Sequence, residues 1–169
     1  MFWGGTFWKA SMAEHEAPSP GKLKINPRWK VAVIQSAWYP ECTGPLSQST
    51  REALIEAGIK PGSIRMITAP GSYELPLFCR RAIQKLKVDG VVALGIIIQG
   101  ETHHAKLVAE QAASGIMQVQ LETGVPIVFE VLYVNRIEDA RKRSMGLHSK
   151  GPLAAATLLS CLAELKEMR

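Results

Sequence analysis

Two hydrophobic periods alternate along this chain. Short continuous apolar runs recur at residues 29–37 (KVAVIQSAW and its flank), 63–70 (SIRMITAP), 90–98 (GVVALGIII) and 126–134 (PIVFEVLYV). Runs this short and this uniformly apolar predict strands covered on both faces, as in a parallel sheet. Between them lie stretches with helical spacing: 46–58, 73–88, 103–123, 136–144 and 151–168. Gly58 and Gly124 stand where helices stop, and Pro76 falls in a first turn, where a missing N–H costs little. In the long third helix Leu107, Val108, Ala112, Gly115, Ile116 and Val119 form one predicted apolar face. Strand and helix in strict alternation predict an α/β domain, three-layer α/β/α, with a four-stranded parallel sheet of flavodoxin-like order and right-handed crossovers.

Length fits one domain: 169 residues, of which 47% are hydrophobic. Residues 29–169 carry the pattern, and residues 1–28 read as an extension or arm. The arm opens aromatic and Gly-rich, without the basic and apolar regions of a signal peptide, and Met12 is a second candidate start. Three prolines between residues 13 and 28 favour an extended segment that could add a strand to a sheet edge. The net charge of +5 comes from scattered residues, so neither nucleic acid nor an anionic partner is specifically indicated. No apolar run is long enough to span a membrane. Cys42, Cys79 and Cys161 are odd in number and form no C-x-x-C pair, which argues against disulfides and zinc and suits a reducing compartment, the cytoplasm. Cys79 and Cys161 sit in apolar helical stretches and read as core.

Parallel sheets bind ligands at the carboxyl ends of their strands. Four segments fall there: Ala37-Trp38-Tyr39, residues 69–74 (APGSYE), residues 99–104 (QGETHH) and Val134-Asn135. Each has a plain reading beside a chemical one. Gly100-Glu101-Thr102 precedes a helix, where free N–H groups form an anion site or an ordinary threonine cap. His104, in that helix's first turn, can transfer protons near neutral pH or merely face solvent; its neighbour His103 points about 100° away. Trp38 can stack on a flat heterocycle or close the core. Glu74 suits a helix start whatever its role. Arg143 and Lys150 flank a break at Met145-Gly146, as a solvated pair or a phosphate clamp.

Taken together, PGSYELP, ALGIIIQGETHH and GIMQVQLETGVPIVFEVL, in that order and spacing, resemble the lumazine synthase family from about Lys30 onward. The resemblance implies condensation of 5-amino-6-ribitylaminouracil with 3,4-dihydroxy-2-butanone 4-phosphate, giving 6,7-dimethyl-8-ribityllumazine, phosphate and water, with no metal or organic cofactor. It implies that Trp38 stacks on the pyrimidine and that Ser72, Tyr73 and Glu74 hold the ribityl chain and ring edge. Ile97 and Ile98 meet the pyrimidine through their backbone. Gly100, Glu101 and Thr102 cradle phosphate, and His104 is the catalytic histidine. Phe129 and Arg143 come from a neighbouring subunit, Arg143 gripping phosphate. Lys150 matches a later substrate-binding lysine, after a loop one residue shorter than the common form.

Three positions depart from the family pattern: Gln99 stands for a common arginine, Tyr39 for the usual asparagine, and Glu101 places a carboxylate in the phosphate turn. The implied assembly is a pentamer, or an icosahedral shell of pentamers, with riboflavin synthase as a candidate partner. Small residues Ala109, Ala112, Ala113 and Gly115 on the third helix would admit a close-packed helix from another copy. The alternatives are a module that binds a flavin precursor without turnover and a shell protein that has lost activity.

Overall fold

A computed structural model describes residues 23–168. Four strands, β1 (Val31–Ser36), β2 (Ile64–Ala69), β3 (Gly90–Ile98) and β4 (Ile127–Val134), form one parallel sheet in the order β2-β1-β3-β4. Five helices connect and cover them: α1 (Pro40–Glu56), α2 (Leu75–Arg81), α3 (His104–Thr123), α4 (Ile137–Ser144) and α5 (Gly151–Glu167). The three-layer flavodoxin-like arrangement is as the sequence pattern predicts.

Side-chain alternation divides the core into two layers. Val31 and Val33 of β1, with Val92, Leu94 and Ile96 of β3, face α1 and α5. Ala32 and Ile34, with Val91, Ala93 and Ile97, face α2 and α3. Fully buried Ile34, Leu46, Leu54, Leu94, Leu158 and Leu159 anchor the two layers, each contributing roughly 1.5–3 kcal/mol of transfer free energy. Burial pushes the Cys79 thiol up to about 12, so it is packing material rather than a nucleophile. Cys42 is equally buried, whereas Cys161 is only half-buried.

Several local expectations need correction. α1 starts at Pro40, not Leu46, and carries Pro45 inside it. Pro40 opens the helix, where its missing N–H is harmless, so only the bond from position 45 to the Glu41 carbonyl is lost. The second helix is α-helical only to Arg81 and then widens into a π turn, Ala82–Leu86, ended by Lys87 in the left-handed region at φ 53°. On α3, Leu107 points outward and is 55% exposed; the buried positions are Ala105, Ala112, Ile116 and Val119. Ala112 and Gly115 are used within the chain: a Cβ on Gly115 would sit 2.8 Å from Pro76 Cγ, so α2 already occupies that approach. Of the arm, only its end is described. It forms no strand there, and Leu23 and Ile25 rest on the α1–α5 layer. The rest of the arm, with its expected extra strand, lies outside the described residues.

Candidate active site

The carboxyl ends of β1, β2 and β3 bring one group of residues together. β1 ends at Ser36, and the chain turns into α1 through Trp38 and Tyr39. Tyr39 adopts φ 56° and ψ 57°, a left-handed conformation uncommon for a bulky residue. The turn leaves the Trp38 indole 66% exposed. After β2, Gly71 allows two side chains to converge. A Cβ there would lie 2.8 Å from Glu74 Oε2 and 3.6 Å from Trp38 Cδ1 and Nε1. An aromatic plane and a carboxylate thus share one small area. Tyr73 stands 60% exposed beside them, while Ser72 is buried.

Beneath this group the Ser72 and Ser36 side chains close over Gly95, which has no side chain of its own. A Cβ on Gly95 would lie 2.6 Å from Ser72 Oγ and 3.4 Å from Ser36 Oγ. Among the described residues the Ser36 hydroxyl is buried without a hydrogen-bond partner. Ile97 is buried and Ile98 half-buried at the end of β3. Gly100, Glu101 and Thr102 then form an exposed turn into α3. Helix α3 is capped at His103, one residue later than a threonine cap would place it, with Thr102 Oγ1 accepting the His104 N–H at 3.4 Å. Within the described chain the N–H groups of Glu101, Thr102 and His103 have no partner. They remain available to an anion at the positive end of a 20-residue helix. His104 opens that helix, exposed.

A second group lies elsewhere. Phe129 pairs with Ala93, whereas the strand ends pair Ile98 with Val134. Five residues of strand therefore separate Phe129 from the carboxyl edge, roughly 16 Å. Phe129 is 39% exposed on one face of the edge strand β4. Its neighbour Glu130 points to the opposite face, toward Arg143 in the last turn of α4 and Lys150 just before α5. Burial raises the Glu130 carboxyl to about 7, even though Lys150 and Arg143 both pull it down. The two cations are tied by a 2.8 Å bond from the Lys150 N–H to the Arg143 carbonyl. The segment is fastened to α1 where the Ser49 and Ser149 hydroxyls meet at 2.8 Å. One chain therefore unites Trp38, Ser72, Tyr73, Glu74, Ile97, Ile98, residues 100–102 and His104, and holds Phe129, Arg143 and Lys150 apart from them.

A family model described as 6,7-dimethyl-8-ribityllumazine synthase matches residues 28–166, which takes in the whole sheet and all but the last residue of its helices. The chain belongs to that family. Among curated relatives, the 6,7-dimethyl-8-ribityllumazine synthase of Xanthomonas oryzae pv. oryzae is 38% identical over 143 residues, 84% of this chain and 92% of that protein. The protein of the same name from Xanthomonas euvesicatoria pv. vesicatoria is 39% identical over 140 residues, 82% and 90% of the two chains. That of Stenotrophomonas maltophilia is 36% identical over 149 residues, 86% and 96%.

The residues that the sequence patterns overlook here are Glu130, Ser36 and Tyr133, the last with its contact to Gln99. Glu130 had a visible signal, a lone carboxylate inside the apolar run PIVFEVLYV. Ser36 had none, since a serine at a strand end is unremarkable until its hydroxyl is found buried and unpaired. Among the described residues no cluster of three His, Cys, Asp or Glu could hold a metal, and no helix is long and apolar enough to cross a membrane.

Proposed function

We propose that this chain is a working lumazine synthase of riboflavin biosynthesis whose active site is completed by a neighbouring copy of the same chain. It condenses 5-amino-6-ribitylaminouracil with 3,4-dihydroxy-2-butanone 4-phosphate to 6,7-dimethyl-8-ribityllumazine, phosphate and water. The observation that carries the shared site is the roughly 16 Å between Phe129 and the strand ends. Phe129 stays 39% exposed on the edge strand β4, which supports a contact with another subunit.

The roles are those that the family resemblance implies, and the placement of the residues supports them. Trp38 supplies a plane for the pyrimidine, and Glu74, beside it, accepts hydrogen bonds from the ring edge or ribityl hydroxyls. Ser72 and Tyr73 line the ribityl path, and the backbone of Ile97 and Ile98 meets the ring. The free N–H groups of the 100–102 turn receive the phosphate, and the neighbour's Arg143 clamps it from the other side. Lys150 adds charge to that clamp. His104, one residue from the turn, moves protons during imine formation, phosphate elimination and ring closure. Holding two reactants at once supplies much of the acceleration. Glu101 lies in the turn with its carboxylate directed away from bound phosphate, since facing it would oppose binding.

The assembly is a cyclic pentamer or a shell of pentamers. The shell is the favoured form, because the Arg143–Lys150 connection is short. The enzyme works in the reducing cytoplasm, and riboflavin synthase, which would consume its product, is the candidate partner. Mixing purified protein with both substrates tests the reaction through the absorbance and fluorescence of the lumazine. Light scattering tests the shared site: a monomer with full activity overturns it, and a single pentamer overturns only the shell.

A further inference from the structure

Three hydrogen bonds leave one side chain at the mouth of the site. Gln99, the last residue before the 100–102 turn, donates from Nε2 to the Gly100 carbonyl at 2.8 Å and to the Thr102 carbonyl at 3.2 Å. Its Oε1 accepts from the Tyr133 hydroxyl on β4. The Gln99 backbone is fixed as well, its N–H donating to the Val134 carbonyl at 2.8 Å. One amide therefore spans a tight turn and a neighbouring strand.

The consequence lies in the peptide planes. In a trans peptide the C=O and the following N–H point in opposite directions. Drawing the Gly100 and Thr102 carbonyls toward Gln99 turns the Glu101 and His103 N–H groups the other way. Those are two of the donors left without a partner around the start of α3. The exposed turn has little packing of its own: a Cβ on Gly100 would meet nothing within 4 Å, and residues 100–104 are all exposed. Its order rests on polar ties, and Gln99 makes two of them. Tyr133 makes the third contact possible. With its oxygen taken by the phenol, the amide can present only its N–H₂ end to the turn.

We infer that Gln99, oriented by the Tyr133 hydroxyl, is a positioning residue that aims the backbone donors of the 100–102 turn at phosphate. The inference rests on the reading of that turn as the phosphate site. It assigns a task to an amide that touches neither substrate, and it links β4 of the same chain to the binding of the phosphorylated ketone.

The test uses the assembled full-length protein and inorganic phosphate as the probe. Isothermal titration gives phosphate affinity, and steady-state kinetics gives KM for each substrate. Gln99→Met keeps the length and removes both polar ends. Phosphate binding should weaken roughly three- to tenfold, the worth of one or two net hydrogen bonds. KM for the phosphorylated ketone should rise in step while KM for the pyrimidine holds, a split that general loosening of the fold does not produce. Tyr133→Phe should shift the same quantities less, and the double variant should match Gln99→Met alone, because the phenol acts through the amide. Arg143→Ala separates the two readings. If it weakens phosphate binding and Gln99→Met does not, the inference is overturned. If neither change matters, the phosphate reading fails and takes the inference with it. Effects of Gln99→Met and Tyr133→Phe that multiply overturn the link between them. Should Gln99→Met not fold, Tyr133→Phe with unaltered phosphate affinity decides against the pair.

Discussion

Gly151→Ala is the most demanding test of how the fold holds the cationic segment. Gly151 opens α5 where that helix crosses α1. A Cβ there would stand 2.8 Å from the Leu46 carbonyl oxygen and 2.8 Å from the Thr50 nitrogen, and would also strike Ser49 Oγ. The serine can rotate. The two backbone atoms belong to α1, and the Leu46 carbonyl also accepts from Thr50 Oγ1 at 2.8 Å. Comfortable contact begins near 3.4 Å, so α5 must withdraw by roughly 0.6 Å from a close-packed seam. Overpacking of this kind costs about 1–3 kcal/mol, and alanine's helix preference returns at most about 1. Taking the middle of each range, the net loss of about 1–2 kcal/mol lowers Tm by roughly 2–8 °C at this chain length. The same shift moves Lys150, and through its bond to the Arg143 carbonyl and the Ser49–Ser149 pair it moves the clamp. KM for the phosphorylated ketone should rise more than KM for the pyrimidine. Gly62→Ala is the control, since a Cβ there meets nothing within 4 Å. Thermal denaturation of the three proteins checks the reasoning. A Gly151→Ala protein as stable as its parent would mean that the seam is not close-packed.

Three further outcomes are expected. His104→Ala should slow turnover by roughly 10²–10⁴-fold with little change in either KM, and stopped-flow lumazine absorbance that shows an undiminished rate would remove the histidine from proton transfer. Because Glu130 is raised from 4.5 to about 7, the native state holds a proton that the unfolded chain gives up, so stability is full below about pH 4.5 and declines as pH rises through about 7. Glu130→Gln should remove that slope; equal urea midpoints of variant and parent at every pH would show that the carboxyl is not buried in the working assembly. At Tyr39, Val should be less stable than Asn by roughly 1–2 kcal/mol, because a β-branched side chain resists the left-handed region that Asn tolerates, and the reverse order in chemical denaturation would refute the assigned backbone.

The sequence made the sheet and most helices legible because buried parallel strands leave uninterrupted apolar runs, and β3 leaves the plainest. It hid the start of α1, because Pro45 argues locally against a helix that packing of Leu46 and Leu54 sustains. It misplaced Leu107, since a residue at helical spacing faces the core only if the sheet extends beneath it, and at that point of α3 the chain offers solvent. The strand-end residues were readable as a set, because topology alone collects strand ends. Phe129 and Arg143 carry no local mark of their separation, which depends on register along β4. Gln99 and Tyr133 lie 34 positions apart, and only pairing of β3 with β4 brings them within a hydrogen bond.

The distance between Phe129 and the strand ends has a consequence for inheritance. On the shared-site reading, each reaction chamber is a seam, with a Trp38–His104 half from one chain and a Phe129–Arg143 half from the next. A chain damaged in one half still lends its sound half to a neighbour. Two alleles, each inactive alone and each faulty in a different half, would restore about one seam in four when their products assemble at random. A fault that prevents folding lends nothing. The unit on which selection acts is then the contact between chains, and the worth of a substitution depends on which half it occupies and on what its neighbours carry.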